Sequence, residues 1–321
     1  MSSTVSSLGM QLANSTILKS EQANMSALNG QLASGKKSND LAEYTPGEAL
    51  NLLNLNTTIT RREGFLSVIN TISTRITVYD QSLTSLEGLA AEAASLTNTA
   101  PTYNADGNSS NAEQIIGFMR QAEYYLNQRV GDRYIFAGTR YDTVPVASIA
   151  ALPVPPTEVA PYTTTEPDLP AYDADYATMP SSEEAYAKDS VSVDTTQSLQ
   201  YGITSTQEPF QKLIMGLRFA YSATQDQNNY ETLMSTARDL INAGLDGVRE
   251  VHSTLAATQT VLNQVEDRHN QALEDINGQI SDIQSVDVND VAVKINTLET
   301  QLEASYSVTA TMAKLSIINY L

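Results

Sequence analysis

The side chains that could do chemistry in this sequence are few, and its two histidines, His252 and His269, come first among them. They lie too far apart for a short metal-binding motif on one helix. Neither sits in H-E-x-x-H, where two imidazoles one turn apart hold zinc and a glutamate acts as base. His269 falls at a core-type position of an apolar repeat, so a seam or interface histidine is expected there in place of a metal ligand. Asp173, Asp175 and Glu184 faintly echo a calcium loop when Asp173 is taken as its first position. Its sixth position would be Thr178, where the sharp turn wants glycine, and its fifth Ala177, which has no side-chain oxygen. A solvated acidic surface is the expectation for these carboxylates. No G-x-x-x-x-G-K-[ST] phosphate cradle occurs, and the absence of cysteine removes thiolate nucleophiles, thiolate metal sites and disulfides. Asn14, Asn24, Asn56 and Asn108 each open an N-x-[ST] match, a pattern short enough to recur by chance in a chain rich in Ser, Thr and Asn. Neither catalysis nor a bound metal or cofactor is expected.

Charge narrows the classes further. The formal net charge is −19 and the pI near 4.3. Nucleic-acid binding needs a basic stripe that displaces counterions from phosphates, so no nucleic-acid partner is expected. The same charge disfavours anionic membranes. No run approaches the roughly 18 apolar residues needed to span a bilayer, so no membrane insertion is expected. The start, Met1-Ser2-Ser3-Thr4-Val5, lacks a charged segment followed by an apolar one, and a cleaved Sec signal is not expected. The 321 residues suffice for a substantial core, yet there is no Trp and aromatics are 7%, which points to thin, elongated packing.

The elements that would position any site are helices. Phe65, Ile69, Ile72, Ile76, Tyr79, Leu83, Leu86, Ala90 and Ala93 follow alternating steps of four and three. That is a heptad seam, which lets one helix pack lengthwise on another. A second seam places Ile241, Val248, Leu255, Leu262, His269, Ile276 and Ile283 seven apart. It predicts one helix from about Tyr230 to Gln284, on the order of 80 Å long. The termini carry weaker stripes. One runs Val5, Leu8, Leu12, Ser15, Leu18, Met25, Leu28 and Leu32 with a slip in register, and is halted by Gly35. The other runs Val291, Ile295, Leu298, Leu302, Ser305, Thr309 and Met312, and continues through Leu315 and Ile318. Asp287, with Asp290 three residues on, reads as the N-cap of that last helix. Residues 141–200 break the pattern: they hold eight of the eleven prolines and ten acids against the single Lys188. Long helices are forbidden there. Ser190 to Val193 and Leu199 to Ile203 alternate like half-buried strands.

Several blocks, in order along the chain, resemble the flagellin superfamily. Leu28 to Lys37 (LNGQLASGKK) is similar to the L-x-x-x-L-S-S-G-K/R stretch near the family's N-terminus, although Leu41-Ala42-Glu43-Tyr44 departs from the Asp-Asp-Pro-Ala run usual after Asn39-Asp40. Leu298 to Leu321 (LETQLEASYSVTATMAKLSIINYL) is similar to the family's C-terminus. Leu126 to Thr139 (LNQRVGDRYIFAGT) resembles the N-x-x-x-G-x-x-Y-[IL]-F-x-G block of its hook-associated junction members, at the turn from helix to first strand.

The resemblance implies a mainly α fold, with both termini forming an elongated antiparallel helical hairpin or coiled-coil rod that carries a small β-rich insertion domain. Residues 1–45 and 286–321 would form the assembly coiled coil, 46–138 and 206–285 the helical shaft, and 139–205 the acidic, Pro-rich insertion. It implies a structural subunit between hook and filament, exported unfolded by the flagellar type III route and located outside the cell. Its partners would be the hook-side junction protein, flagellin and copies of itself, preceded by a cytoplasmic export chaperone. Leu8, Leu12, Leu28 and Leu32 at one end, and Leu298, Leu302, Met312, Leu315 and Ile318 at the other, are the expected assembly residues. Amphipathic ends that cannot cover their own apolar sides agree with this, since they would order against neighbours. A filament-forming flagellin and an acidic surface-binding module on a coiled-coil stalk stay open as alternatives. The insertion itself reads either as a solubilising outer face or as a contact surface.

Overall fold

The computed structural model describes residues 2–100, 102–146, 148–151 and 188–318. The candidate calcium loop Asp173, Asp175 and Glu184 lies outside the described residues. The described chain is mainly α: α1 (Ser2–Ser34), α2 (Pro46–Thr99), α3 (Ala105–Leu126), α4 (Glu208–Gln225), α5 (Tyr230–Gln284) and α6 (Val288–Ile318). Two antiparallel hairpins complete it. In one, β1 (Arg129–Val130) pairs with β2 (Arg133–Tyr134); in the other, β3 (Ser190–Ser192) pairs with β4 (Ser198–Gln200), placing Val191 opposite Leu199. Contacts divide the chain into two units, residues 1–61 with 271–321, and residues 62–270.

The helix ends follow from local chemistry. Gly35 stops α1 with φ of 68°, the left-handed conformation only glycine takes without strain. Thr45, Pro46 and Glu48 start α2 as a capping box with proline in the first turn. The Thr45 amide donates to Glu48 Oε2 at 3.1 Å, and the Glu48 amide donates back to the Thr45 hydroxyl at 3.4 Å. The bonds from Thr45 also hold the Glu48 carboxyl below the ordinary carboxylate range. Asp287 caps α6 as expected, its Oδ1 accepting from the Asn289 and Asp290 amides at 2.8 and 3.4 Å. The helix expected from Tyr230 to Gln284 has those bounds.

The larger unit, 62–270, holds the apolar core. The α2 seam is sealed from Ile69 to Ala93, and the α5 seam at Ile241, Val248, Leu255 and Leu262, within one cluster that also takes Phe118, Met119 and Leu126 of α3 and Phe210 and Leu213 of α4. Helices α4 and α5 come close because three glycines leave room. A Cβ at Gly216 would lie 2.6 Å from the Ile241 side chain, one at Gly244 2.8 Å from the Leu213 backbone nitrogen, and one at Gly247 2.7 Å from the Pro209 ring. Descending residue numbers on α4 thus meet ascending ones on α5, as in an antiparallel pair.

Tyr79 joins the helical core to the short strands. Its ring packs edge-on against Phe136 at 5.0 Å, and Phe136 in turn packs edge-on against Phe210 at 5.8 Å. The hydroxyl donates to the Ile135 carbonyl and accepts from the Ile203 amide at 3.3 Å. Burial pushes this phenol's pKa upward, so it keeps the proton it donates. Around it the Ser205 amide donates to the Phe136 carbonyl at 2.9 Å, and Ala137 bridges to Thr204. The chain entering the 139–205 stretch and the chain leaving it are therefore stitched together beneath one tyrosine. Gly131 and Gly138, with φ of 65° and 60°, make the turns that bring this about. Tyr134 and Phe136 have different settings: Tyr134 is half-buried with the Arg129 guanidinium 4.8 Å above its ring, while Phe136 is sealed.

Two stability predictions follow from these contacts. Tyr79→Phe leaves a buried carbonyl and a buried amide without their partner and should lower the unfolding free energy by about 1–3 kcal/mol, measured by urea denaturation. Gly244→Ala gains about 1 kcal/mol of helix propensity, but its new methyl meets backbone, which gives way poorly. Overpacking of about 1–3 kcal/mol should win, and a Gly244→Ala protein more stable than wild type would overturn the close-packed reading.

Candidate assembly surface

The smaller unit pairs α1 with α6 in antiparallel fashion. On α6 the inward positions are Val291, Ile295, Leu298, Leu302, Ser305 and Thr309, buried or half-buried at alternating steps of four and three. This is the stripe the sequence indicates. On α1 the half-buried residues are Asn14, Leu18, Glu21, Met25, Leu28 and Gln31. Leu18, Met25 and Leu28 stand where the sequence stripe puts them, but Leu12, Ser15 and Leu32 do not. Leu12 is 71% exposed and Leu32 39% exposed. The reason is helical geometry: stepping back from Leu18 by four and then by a further three reaches Asn14 and position 11, never Leu12. The slip in the sequence stripe is the point where the apolar residues leave the seam for the outside.

The seam is consequently part polar. Gln22 Nε2 donates to the Tyr306 hydroxyl at 2.7 Å, and the Ser305 hydroxyl donates to Glu21 Oε1 at 3.4 Å. The other Glu21 oxygen is buried with no hydrogen-bond partner. At the far end the two connections are laced together. The Lys37 amide donates to the Gln284 carbonyl at 2.7 Å, the Val286 amide to the Gly35 carbonyl at 3.0 Å, and Lys36 bridges to Ser285.

What the seam lacks in apolar surface, the outside carries. Leu12 and Ile17 on α1, and Val293, Tyr306 and Val308 on α6, are exposed, Val293 at 62%. A helix with apolar residues on several sides is one that other helices surround. Of the nine expected assembly residues, Leu28, Leu298 and Leu302 thus lie in the seam, and Leu12 and Leu32 lie on the outside. The side chains of Leu8, Met312, Leu315 and Ile318 lie outside the described residues. Ile17, Val293, Tyr306 and Val308 were missed by a search for one stripe per helix; a count of apolar residues off the stripe would have found them.

The chemistry-bearing side chains of the larger unit fall in two places. His269 is fully buried and stacks on Phe65 with ring centroids 5.5 Å apart. Its Nε2 lies 2.8 Å from the Val193 carbonyl and its Nδ1 3.1 Å from Arg62 Nη1. A carbonyl only accepts and a guanidinium only donates, so the proton sits on Nε2 and Nδ1 accepts. The seam histidine thus fastens the β3–β4 hairpin to α5. His252 differs, for both its ring nitrogens face carboxylates of α2: Glu87 at 2.6 Å from Nδ1 and Asp80 at 2.9 Å from Nε2. Partial burial works against the charged ring, but hydrogen bonds to Asp80 and Glu87 outweigh it and lift the imidazole pKa above its ordinary value. The sequence stripe ran through Tyr79, Leu83 and Leu86 and passed these flanking acids by. Among the described residues no group of three His, Asp or Glu side chains is placed to hold a metal ion, and no helix is long and apolar enough to cross a membrane. The matches at Asn14, Asn24, Asn56 and Asn108 all fall within helices.

Comparison with known proteins adds a regional match and a fold. Residues 239–321, covering most of α5 and all of α6, match the bacterial flagellin C-terminal helical region. No curated protein is a significant match to the chain. Among solved structures, a candidate flagellar hook-associated protein from Vibrio parahaemolyticus is similar over 74% of this chain and 98% of its own, with 13% identity and a TM-score of 0.59. FlgL from Bacillus cereus is aligned over 71% of this chain and 100% of its own, with 13% identity and a TM-score of 0.47.

The two faces of the terminal pair separate in a simple test. Leu28→Ser removes part of the seam, about 1 kcal/mol of half-buried leucine, and should lower the helicity of the dilute monomer by circular dichroism. Leu12→Ser, on the outside, should leave that helicity unchanged. Equal losses in both variants would mean that Leu12 also faces α6.

Proposed function

We propose, from the match of residues 239–321 to the bacterial flagellin C-terminal helical region, that this chain is a structural subunit of the bacterial flagellum that assembles through its terminal helices. The observation that carries this is that the match takes in the whole of α6, the helix whose inner side pairs with α1 and whose outer side leaves Val293, Tyr306 and Val308 exposed. A pair that buries only part of its apolar residues gains more by associating with further pairs. Repetition of such an unclosed contact makes a fibre or tube. Leu12 and Leu32 then serve neighbouring subunits, while Leu28, Leu298 and Leu302 hold the pair itself together. Leu8, Met312, Leu315 and Ile318 are proposed as further assembly residues on the sequence alone.

Within the flagellum, the position between hook and filament is the reading favoured here. It rests on the block from Gln128 to Gly138, which forms the helix-to-strand turn fastened under Tyr79, and on the fold shared with the hook-associated protein of Vibrio parahaemolyticus. Neighbours are then the hook-side junction protein, flagellin and copies of this chain. The subunit travels through the flagellar export apparatus unfolded, with a cytoplasmic chaperone covering the C-terminal helix beforehand, and works outside the cell. The match to a flagellin region favours a second reading, a filament subunit. Immunogold labelling of isolated flagella separates them: a short zone at the hook end supports the junction, and label along the whole filament supports the second reading.

Removing residues 298–321 should abolish assembly while the 62–270 unit keeps its cooperative unfolding. Leu12→Asp, which places a charge on the outer face, should block assembly and leave monomer helicity intact. Sedimentation and negative-stain microscopy read both, and polymers of normal length from either variant would overturn the assignment.

A further inference from the structure

His252 stands apart from the surfaces just described. It lies on α5 in the larger unit, in a region with no part in the α1–α6 pair, and its three-residue arrangement with Asp80 and Glu87 is assigned no role by assembly. Asp80 and Glu87 are seven residues apart, two turns along one side of α2, with about 10 Å of helix between them. A neutral imidazole has one N–H and one lone pair, while a carboxylate at neutral pH only accepts. With carboxylates 2.6 Å from one ring nitrogen and 2.9 Å from the other, only the doubly protonated ring satisfies both. A neutral ring would aim a lone pair at one carboxylate and leave two acids facing each other across it.

We infer that His252 is the cationic pin of a proton-dependent clamp between α2 and α5, holding Asp80 and Glu87 while it carries both ring protons and releasing one of them when it loses a proton. The charged groups around the ring leave it that role. Asp80 and Glu87 are the acids that α2 presents to it, and among the described residues neither has a lysine or arginine partner. On α5 the nearest cation, Arg249, is one turn away and 3.3 Å from Asp246. On α2 the nearest cation before Asp80, Arg75, donates to the Tyr201 hydroxyl at 2.7 Å.

The direction of the pH effect follows. The folded-state pKa of His252 lies above its ordinary value of 6.5. A raised pKa means the clamp's contribution is complete below that ordinary value and is lost as the pH rises through the folded one. The clamp therefore holds α2 to α5 fully below pH 6.5 and loosens as the pH rises through the raised folded value. His269, on the same helix, gives an internal contrast: one ring nitrogen accepts from Arg62 and the other donates to Val193, so it has no comparable pair of carboxylates to release.

The test uses the full-length protein with nitrogen-15 histidine. NMR at pH 6 should show both His252 ring nitrogens protonated and a titration midpoint above that of a peptide histidine, whereas a single-proton tautomer at pH 6 or a midpoint at or below the peptide value overturns the inference. Thermal unfolding from pH 5.5 to 9.5 supplies the second reading. The wild-type melting temperature should fall across the titration by about 2–4 °C more than that of His252→Gln, and identical pH slopes in the two proteins would also overturn it. If His252→Gln does not fold, the Asp80→Asn, Glu87→Gln double variant decides. Its His252 midpoint should drop to the peptide value or below, and an unchanged midpoint counts against the clamp.

Discussion

The structure depends on one constraint: no helix in this chain can cover its own apolar side. Residues repeating every seven positions put a stripe down one side of each long helix, and such a stripe leaves water only when a second helix runs beside it. The α2 and α5 stripes meet this requirement inside the larger unit, where Ile76, Leu83, Val248 and Leu262 are sealed. The α1 and α6 stripes meet it only in part, because Asn14, Glu21, Gln31, Ser305 and Thr309 occupy inward positions. The same rule therefore yields a self-sufficient core in one place and an incomplete one in another. The region similar to the flagellin C-terminus takes in both kinds, most of α5 from the complete core and all of α6 from the incomplete one.

The 62–270 unit gains a second kind of order from polar groups placed inside or beside its seams. Tyr79 interrupts the α2 stripe with a hydroxyl that binds the backbone at Ile135, before the 139–205 stretch, and at Ile203, near its end. His269 interrupts the α5 stripe with an imidazole that binds the β3–β4 hairpin and Arg62. Buried polar groups are costly unless fully partnered, and both of these are. Each converts a generic apolar contact into one that fixes which strand lies against which helix. The apolar stripes decide that helices pair, and these two side chains decide what is attached to the pair.

Much of this was legible in the residues because repetition is a one-dimensional signal. The α2 and α5 seams, the span of α5, the Gly35 stop and the Asp287 cap depend on neighbours within a turn or two, and all were readable without a fold. The inward set on α1 was harder. Leucine at 12 and 32 suggested a stripe, but two off-register leucines cannot be told from seam leucines until the partner helix is in place. The acids around His252 come from a helix more than 160 residues earlier, so no spacing rule could reach them. Gly244 looked like one more small residue in a heptad, and its closeness to the Leu213 backbone appears only once α4 is docked. What stayed hidden was pairing between distant segments, which helical periodicity does not encode.

The glycines between α4 and α5 have a mechanical consequence. Gly216, Gly244 and Gly247 meet Ile241, Leu213 and Pro209 at three successive levels, as teeth meet the gaps of a rack. Displacing one helix along the other by a single residue would bring a side chain into a space that has no room for even a methyl group. Apolar stripes alone resist separation far better than sliding, since a shifted stripe still covers much of its partner. The toothed contact resists shear, so the α4–α5 pair is held against being drawn out lengthwise as well as against being pulled apart.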